Sequence, residues 1–260
     1  MIEGFAMMGD GCRIAWREEG PTGAPPLILS NSLGTAMDMW RPQMSAVSAR
    51  FRVIRYDTRG HGRSDAPAGA YGLDRLGRDV LELADELEIG RFAFCGLSLG
   101  GMTGQWLGVR APERLEHRII ANSSPFMGPP SAWEARIRLV LSQGMNAVTE
   151  NVLSRWFTPD FYREPDNVFT VREMLLTSDP VGYAGCCAAI RDMDMRPVLG
   201  LIRVPTLIIA GEKDPATPPD DARLLTAGIS DARCIMLDAA HLSNIEKPSA
   251  FTAALMDFLA

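Results

Sequence analysis

The sequence predicts a doubly wound α/β fold: a mostly parallel sheet wrapped by helices, with a helical lid inserted late in the chain. Three observations predict it. Short apolar runs without polar alternation recur between helical patterns from Leu27 to Ala121, as expected of parallel strands covered on both faces. One of them, Phe92-Ala93-Phe94-Cys95, runs directly into Gly96-Leu97-Ser98-Leu99-Gly100 and then into a helical pattern. Finally, only helical patterns occur between Phe126 and Pro197, after which an apolar run resumes at Val204. The 260 residues suit one domain with an insertion better than two independent domains. The expected division is a core of 1–125 and 198–260 and a lid of 126–197.

Met1 to Glu18 reads as a hairpin turning at Gly9-Asp10-Gly11. Leu27–Ser30 is a short buried strand leading into the small-residue loop Asn31–Thr35 and a helix around Trp40–Ser48. Phe51–Tyr56 is the next strand, and Asp57–Ser64 is a loop dense in turn formers. Leu73–Leu87 carries leucine, valine and alanine at helical spacing. A helix of about Gly101–Ala111 stops before Pro112, and Arg118–Ala121 is a further strand. Helical patterns near Trp133–Ser142, Met145–Trp156, Val168–Thr177 and Val181–Arg191 fill the insertion, punctuated by prolines. Val204–Ala210 and Cys234–Leu237 resume the sheet, and Pro248–Leu259 is the last helix.

Hydrophobic content of 47% with 22% charged residues is that of a soluble globular chain with a sizeable core. The net charge of −6 argues against nucleic acid or an anionic membrane surface as a partner. Met1-Ile2-Glu3 lacks a basic leader, and no apolar run reaches the length of a membrane span. Cys12, Cys95, Cys186, Cys187 and Cys234 are odd in number without C-x-x-C spacing, and read as reduced thiols of a cytoplasmic protein. The three histidines show no ligand pairing, so neither a metal nor another cofactor is expected.

The strand–turn–helix context of Gly96-Leu97-Ser98-Leu99-Gly100 marks Ser98 as a candidate nucleophile. Small residues at Gly96 and Gly100 let strand and helix approach, and the Leu99 N–H points to where an oxyanion would form. Leu33, in the loop after the first parallel strand, is the candidate second donor. A serine hydroxyl is a weak nucleophile and needs a histidine base oriented by an acid. His61 precedes the serine and reads as a loop-packing residue. His117 sits among Glu113, Arg114, Glu116 and Arg118 and reads as a solvated surface residue. His241 follows the last strand in a small-residue loop, and is the expected base. Asp214, past the end of Val204–Ala210 in a proline-stiffened loop, is the expected acid, whereas Asp220 better fits a helix cap. Ser98, Asp214 and His241 thus occur in the order serine, acid, base, each at a strand's carboxyl end. Such a triad attacks ester-type carbonyls without a cofactor.

These residues and the loop Asp57–Ser64 resemble the α/β-hydrolase superfamily across essentially the whole chain, which implies the α/β-hydrolase fold. More narrowly, Asn31–Thr35, Arg55–Gly62, Cys95–Met102, Gly185–Asp192, Asp214–Pro219 and Ala239–Asn244 resemble 3-oxoadipate enol-lactonases. Asn122–Pro130 lies outside the matched stretches. The resemblance implies hydrolysis of 3-oxoadipate enol-lactone to 3-oxoadipate in the β-ketoadipate route of aromatic breakdown, and supports the same three triad residues. The alternatives on this triad are a short-acyl carboxylesterase, another lactonase, a carbon–carbon bond hydrolase or a perhydrolase; a non-catalytic ligand-binding receptor is the reading from a different class. In every case the expected partner is a small molecule, a lactone or an ester. A carboxylate-bearing substrate calls for a cation from the lid. Arg191 is the candidate for it, with pairing to Asp192, Asp194 or another acid of the lid as the alternative. Trp133 and Trp156 are candidates for an apolar wall, with plain packing as theirs.

Overall fold

The computed structural model describes all residues, Met1–Ala260. Eight strands form one sheet: β1 (Ile2–Met7), β2 (Arg13–Glu19), β3 (Pro26–Ser30), β4 (Arg52–Tyr56), β5 (Phe92–Leu97), β6 (Leu115–Ala121), β7 (Thr206–Gly211) and β8 (Arg233–Leu237). Their order is β1-β2-β4-β3-β5-β6-β7-β8, antiparallel at β1/β2 and β2/β4 and parallel from β4 to β8. Every residue of β5 and β7 is buried, which is why these runs carry no polar alternation.

The helices flanking the sheet are α1 (Arg41–Val47), α2 (Leu73–Glu86) and α3 (Leu99–Arg110); those of the insertion are α4 (Pro130–Gln143), α5 (Asn146–Trp156), α6 (Pro159–Tyr162), α7 (Pro165–Thr177) and α8 (Pro180–Asp192); α9 (Pro219–Gly228), α10 (Ser243–Glu246) and α11 (Pro248–Phe258) follow. In α2 the buried residues Leu73, Leu76, Val80, Leu83 and Ala84 recur at three- and four-residue spacing and form the stripe that faces inward. α1 packs with α11, and α2 with α3. Trp40 is fully buried with its ring 6.0 Å from that of Phe251. Truncating such a side chain to alanine typically costs about 3–5 kcal/mol.

Four expectations need correction. β6 begins at Leu115, so His117 is a strand residue, half-buried and edge-on to Phe258 at 5.6 Å, rather than solvated. The exposed Glu116 and the buried Arg118 interrupt the apolar run at the start of the strand, which conceals it from a reading that looks for apolar runs. α3 starts at Leu99, directly after the serine. The four-residue α6 was not expected from the pattern. β8, an apolar run expected like the others to be covered on both faces, is an edge strand with four of its five residues exposed, Cys234 among them.

Candidate active site

The connection from β5 to α3 holds Ser98 at φ 57° and ψ −113°, a sparsely populated conformation for a residue with a side chain. The crowding of strand and helix enforces it. A Cβ on Gly96 would lie 2.1 Å from the Gly100 carbonyl oxygen, and one on Gly100 would lie 2.3 Å from that of Ser30. Ser98 N–H donates to Ala121 O at 2.9 Å and Gly100 N–H to Asn31 O at 3.0 Å. The Leu99 N–H between them has no such partner.

The loop after β3 repeats this pattern. Ser32 N–H meets Met39 Sδ at 3.4 Å, Gly34 N–H donates to His61 Nε2 at 2.8 Å, and Thr35 N–H donates to Ser32 O at 3.2 Å. Leu33 N–H alone is left over, and Leu33 lines the same cavity as Ser98. Two unengaged amides beside one hydroxyl are the arrangement that receives a developing oxyanion.

Asp214 and His241 meet across the ends of β7 and β8. His241 Nδ1–H donates to Asp214 Oδ2 at 2.8 Å, which leaves the other ring nitrogen for the cavity. Oδ2 also accepts from Thr217 Oγ1 at 2.7 Å and Asn122 Nδ2 at 3.1 Å; Oδ1 accepts from Ala216 N–H at 2.8 Å and Thr217 N–H at 3.0 Å. Burial pushes the Asp214 carboxyl up, but the attraction and hydrogen bond of His241, with the Thr217 bonds, outweigh it and hold it below the usual carboxylate range. Asp214 therefore stays ionised and fixes the imidazole. The Ser98 hydroxyl and His241 line one cavity without a direct hydrogen bond between them; in ligand-free sites such bonds are often long. Asp220 does not cap α9: it lies in its first turn and pairs with Arg223.

The cavity, about 240 Å³, is lined in part by the inserted helices, through Trp133, Arg136, Arg155, Trp156, Tyr183 and Ile190. That is at the small end for a ligand pocket and suits a small lactone or ester. Trp133 and Trp156 both line it. Trp156 stacks on the His241 ring at 6.1 Å, and Trp133 Nε1–H donates to Met127 O at 2.7 Å.

Arg191 does not reach the cavity, which corrects the expectation for it. Its guanidinium is paired with Glu134 and Asp192, both at 2.7 Å, over a separate surface groove. On α8, Tyr183 and Ile190 face the cavity, and the next residue turns about 100° away from that face. The cations present are instead Arg136 and Arg155, which the sequence reading missed. Arg138, Arg172 and Arg191 of the insertion pair with carboxylates; Arg136 and Arg155 pair with none, and Arg155 Nε is buried without a hydrogen-bond partner. Burial and the like charge of Arg136 pull the Arg155 guanidinium below its ordinary value. One signal was available: Arg136 lies one turn after Trp133, so a helix face that turns Trp133 inward turns Arg136 inward too. Arg136 also covers the Trp133 ring at 5.0 Å.

Residues 25–248 match the family model of the α/β hydrolase fold. The chain belongs to the α/β-hydrolase family. It is 43% identical to 3-oxoadipate enol-lactonase 2 of Acinetobacter baylyi, over 91% of this chain and 89% of that one. Among solved structures, the enol-lactonase from Burkholderia xenovorans LB400 superposes with a TM-score of 0.96 at 44% identity, covering 98% of this chain and 99% of that one. A hydrolase from Pseudomonas aeruginosa PA01 gives a TM-score of 0.97 at 45% identity, over 99% and 98% of the two chains. This α/β-hydrolase is thus a hydrolytic enzyme similar to enol-lactonases. None of its helices is long and apolar enough to cross a membrane.

Proposed function

We propose that this α/β-hydrolase is a serine-dependent lactonase that opens 3-oxoadipate enol-lactone to 3-oxoadipate, a step of aromatic breakdown. One observation carries it: the Ser98 hydroxyl, the Asp214-oriented His241 imidazole and the unengaged Leu33 amide line one small cavity together with two guanidinium groups, Arg136 and Arg155, that pair with no carboxylate. A substrate with an ester carbonyl at one end and a carboxylate at the other satisfies both sets of groups. The enol-lactonase relatives supply the particular lactone.

His241 takes the Ser98 proton as Oγ attacks the lactone carbonyl, and the Leu33 and Leu99 N–H groups receive the oxyanion. The ring C–O bond breaks, and the enol oxygen leaves with the proton from His241 and tautomerises to the ketone. The opened chain remains as an acyl group on Ser98. Water, deprotonated by His241, attacks the acyl carbonyl, and the proton returns to Ser98 as the second carboxylate is released. Residues 126–197 act as a lid that supplies the wall for the substrate carboxylate. No metal or cofactor enters these steps, and the free cysteines suit the reducing cytoplasm.

The deciding experiment compares kcat/KM for the enol-lactone, γ-butyrolactone and p-nitrophenyl acetate, with wild type and Ser98→Ala. The expected result is a strong preference for the enol-lactone, abolished in Ser98→Ala. A higher kcat/KM for the plain ester refutes the lactone and leaves a short-acyl carboxylesterase. Equal rates for wild type and Ser98→Ala on every substrate refute the serine hydrolase and leave a binding protein.

A further inference from the structure

An oxyanion hole acts only if its donors are fixed before the charge develops, and Leu33 sits in a loop with no regular structure. Both peptides flanking Leu33 are nevertheless pinned. On its amino side the Ser32 carbonyl accepts from Thr35 N–H at 3.2 Å and Thr35 Oγ1 at 2.8 Å. Because the peptide is trans, this turns the Leu33 N–H the opposite way. On its carboxyl side Gly34 N–H donates to His61 Nε2 at 2.8 Å. Gly34 has φ +79°, and a Cβ there would lie 2.7 Å from Leu175 and 3.1 Å from Tyr183, so only glycine fits.

His61 is built to accept that bond. Its Nδ1 faces the Arg59 carbonyl at 3.2 Å, and a carbonyl only accepts, so the proton sits on Nδ1 and Nε2 keeps a bare lone pair. Arg59 is itself held by Asp79 and Asp10. The ring is 2% exposed, and its centroid lies 6.3 Å from that of Tyr183. Burial pulls its pKa down to about 4, so the lone pair persists at neutral pH.

We propose that His61 is a positioning residue of the oxyanion hole: its Nε2 fixes the Leu33–Gly34 peptide and thereby aims the Leu33 N–H at the carbonyl attacked by Ser98. This rests on the hydrolase reading above but not on which lactone is the substrate. It goes beyond a packing role, which any side chain of that bulk would fill.

The test compares His61→Leu, which keeps bulk and loses the acceptor, with His61→Gln, whose amide oxygen reaches the place of Nε2. Both are assayed on p-nitrophenyl acetate and with a small p-nitrophenyl phosphonate, whose phosphorus Ser98 attacks with loss of p-nitrophenolate in a step that also depends on the oxyanion hole. His61→Leu should lose about 30- to 100-fold in kcat, short of or near the loss of one whole donor, with KM changed less than about 3-fold. Phosphonylation should slow by a similar factor, and His61→Gln should recover to within about 5-fold of wild type. A folded His61→Leu with kcat within 3-fold of wild type overturns the proposal, as do equal losses in the two variants or a change confined to KM. Should His61→Leu fail to fold, His61→Asn, whose amide falls short of Gly34, takes its place against His61→Gln. Ser98→Ala separates the two claims: if it matches wild type, the hydrolase reading has failed, whereas a dead Ser98→Ala beside an unimpaired His61→Leu refutes this inference alone.

Discussion

Replacing Arg155 or Arg136 with glutamine keeps a polar side chain of similar length and removes one of the two uncompensated charges in the cavity wall. A charge-assisted hydrogen bond to a carboxylate contributes about 1.5–3 kcal/mol. At tenfold per 1.4 kcal/mol, each substitution should lower kcat/KM for the enol-lactone by roughly 10- to 150-fold. The loss should fall mainly in KM, because the carboxylate lies away from the reacting carbonyl and is held alike in ground and transition states. A neutral ester such as p-nitrophenyl acetate, with no carboxylate to hold, should lose less than about 2-fold. Thermal stability should hold or rise slightly, since Arg155 is pulled down by burial and by repulsion from Arg136, and both costs disappear. The assay is steady-state kinetics on both substrates at about 50 and 500 mM salt, where screening should weaken only the enol-lactone reaction of wild type. Equal losses on the charged and neutral substrates would show that the arginines support the fold of the lid and not an anion, and the reasoning would be wrong.

Arg191→Gln should leave kcat/KM within 2-fold of wild type and cost less than about 1 kcal/mol, because it breaks only a surface ion-pair cluster; steady-state kinetics and a melting curve check it. Asn122→Leu removes a donor to Asp214 Oδ2 and orphans the Ser243 hydroxyl and the Ala240 carbonyl. It should cost about 2–4 kcal/mol of stability and roughly tenfold in kcat, read from urea unfolding and ester hydrolysis. Arg118 is fully buried, donates to Gly104 O at 3.0 Å and Thr206 Oγ1 at 2.8 Å, has no carboxylate partner, and is pulled down to about 9 by burial. Arg118→Met should raise stability by about 1–3 kcal/mol, and a lower Tm would contradict this. His61 is neutral in the folded chain down to about pH 4 but titrates near 6.5 when unfolded. Between these values the unfolded chain binds a proton that the folded chain refuses, so stability is full above pH 6.5 and falls as the pH drops towards 4. The full gap corresponds to about 3 kcal/mol. Urea midpoints of wild type should therefore fall further from pH 7 to 4.5 than those of His61→Gln; losses from Asp214, whose carboxyl is held low, are common to both.

Features encoded over a few neighbouring residues were legible in the chain alone. The strand-to-helix turn at Ser98 is local, because Gly96 is demanded by a close approach to Gly100 within one turn, although Gly100 is demanded by Ser30 of the neighbouring strand. The parallel strands were legible because burial on both faces strips them of polar residues, and the order of Ser98, Asp214 and His241 follows from their places at strand ends. The family resemblance added the class of substrate. What only the packing of distant segments decides was not legible. Arg191 pairs with the adjacent Asp192, the alternative that the sequence offered, but also with Glu134, 57 residues earlier, while Arg136 and Arg155 are left without a counter-ion because α4 and α5 present them to the cavity rather than to an acid. Asn122 reaches Asp214 across 92 residues, and His61 reaches Gly34 across 27. A side chain's residue type is written in the sequence. Which side chain faces an unpaired charge or amide depends on helix rotation and loop path, and those are settled only when the whole core closes.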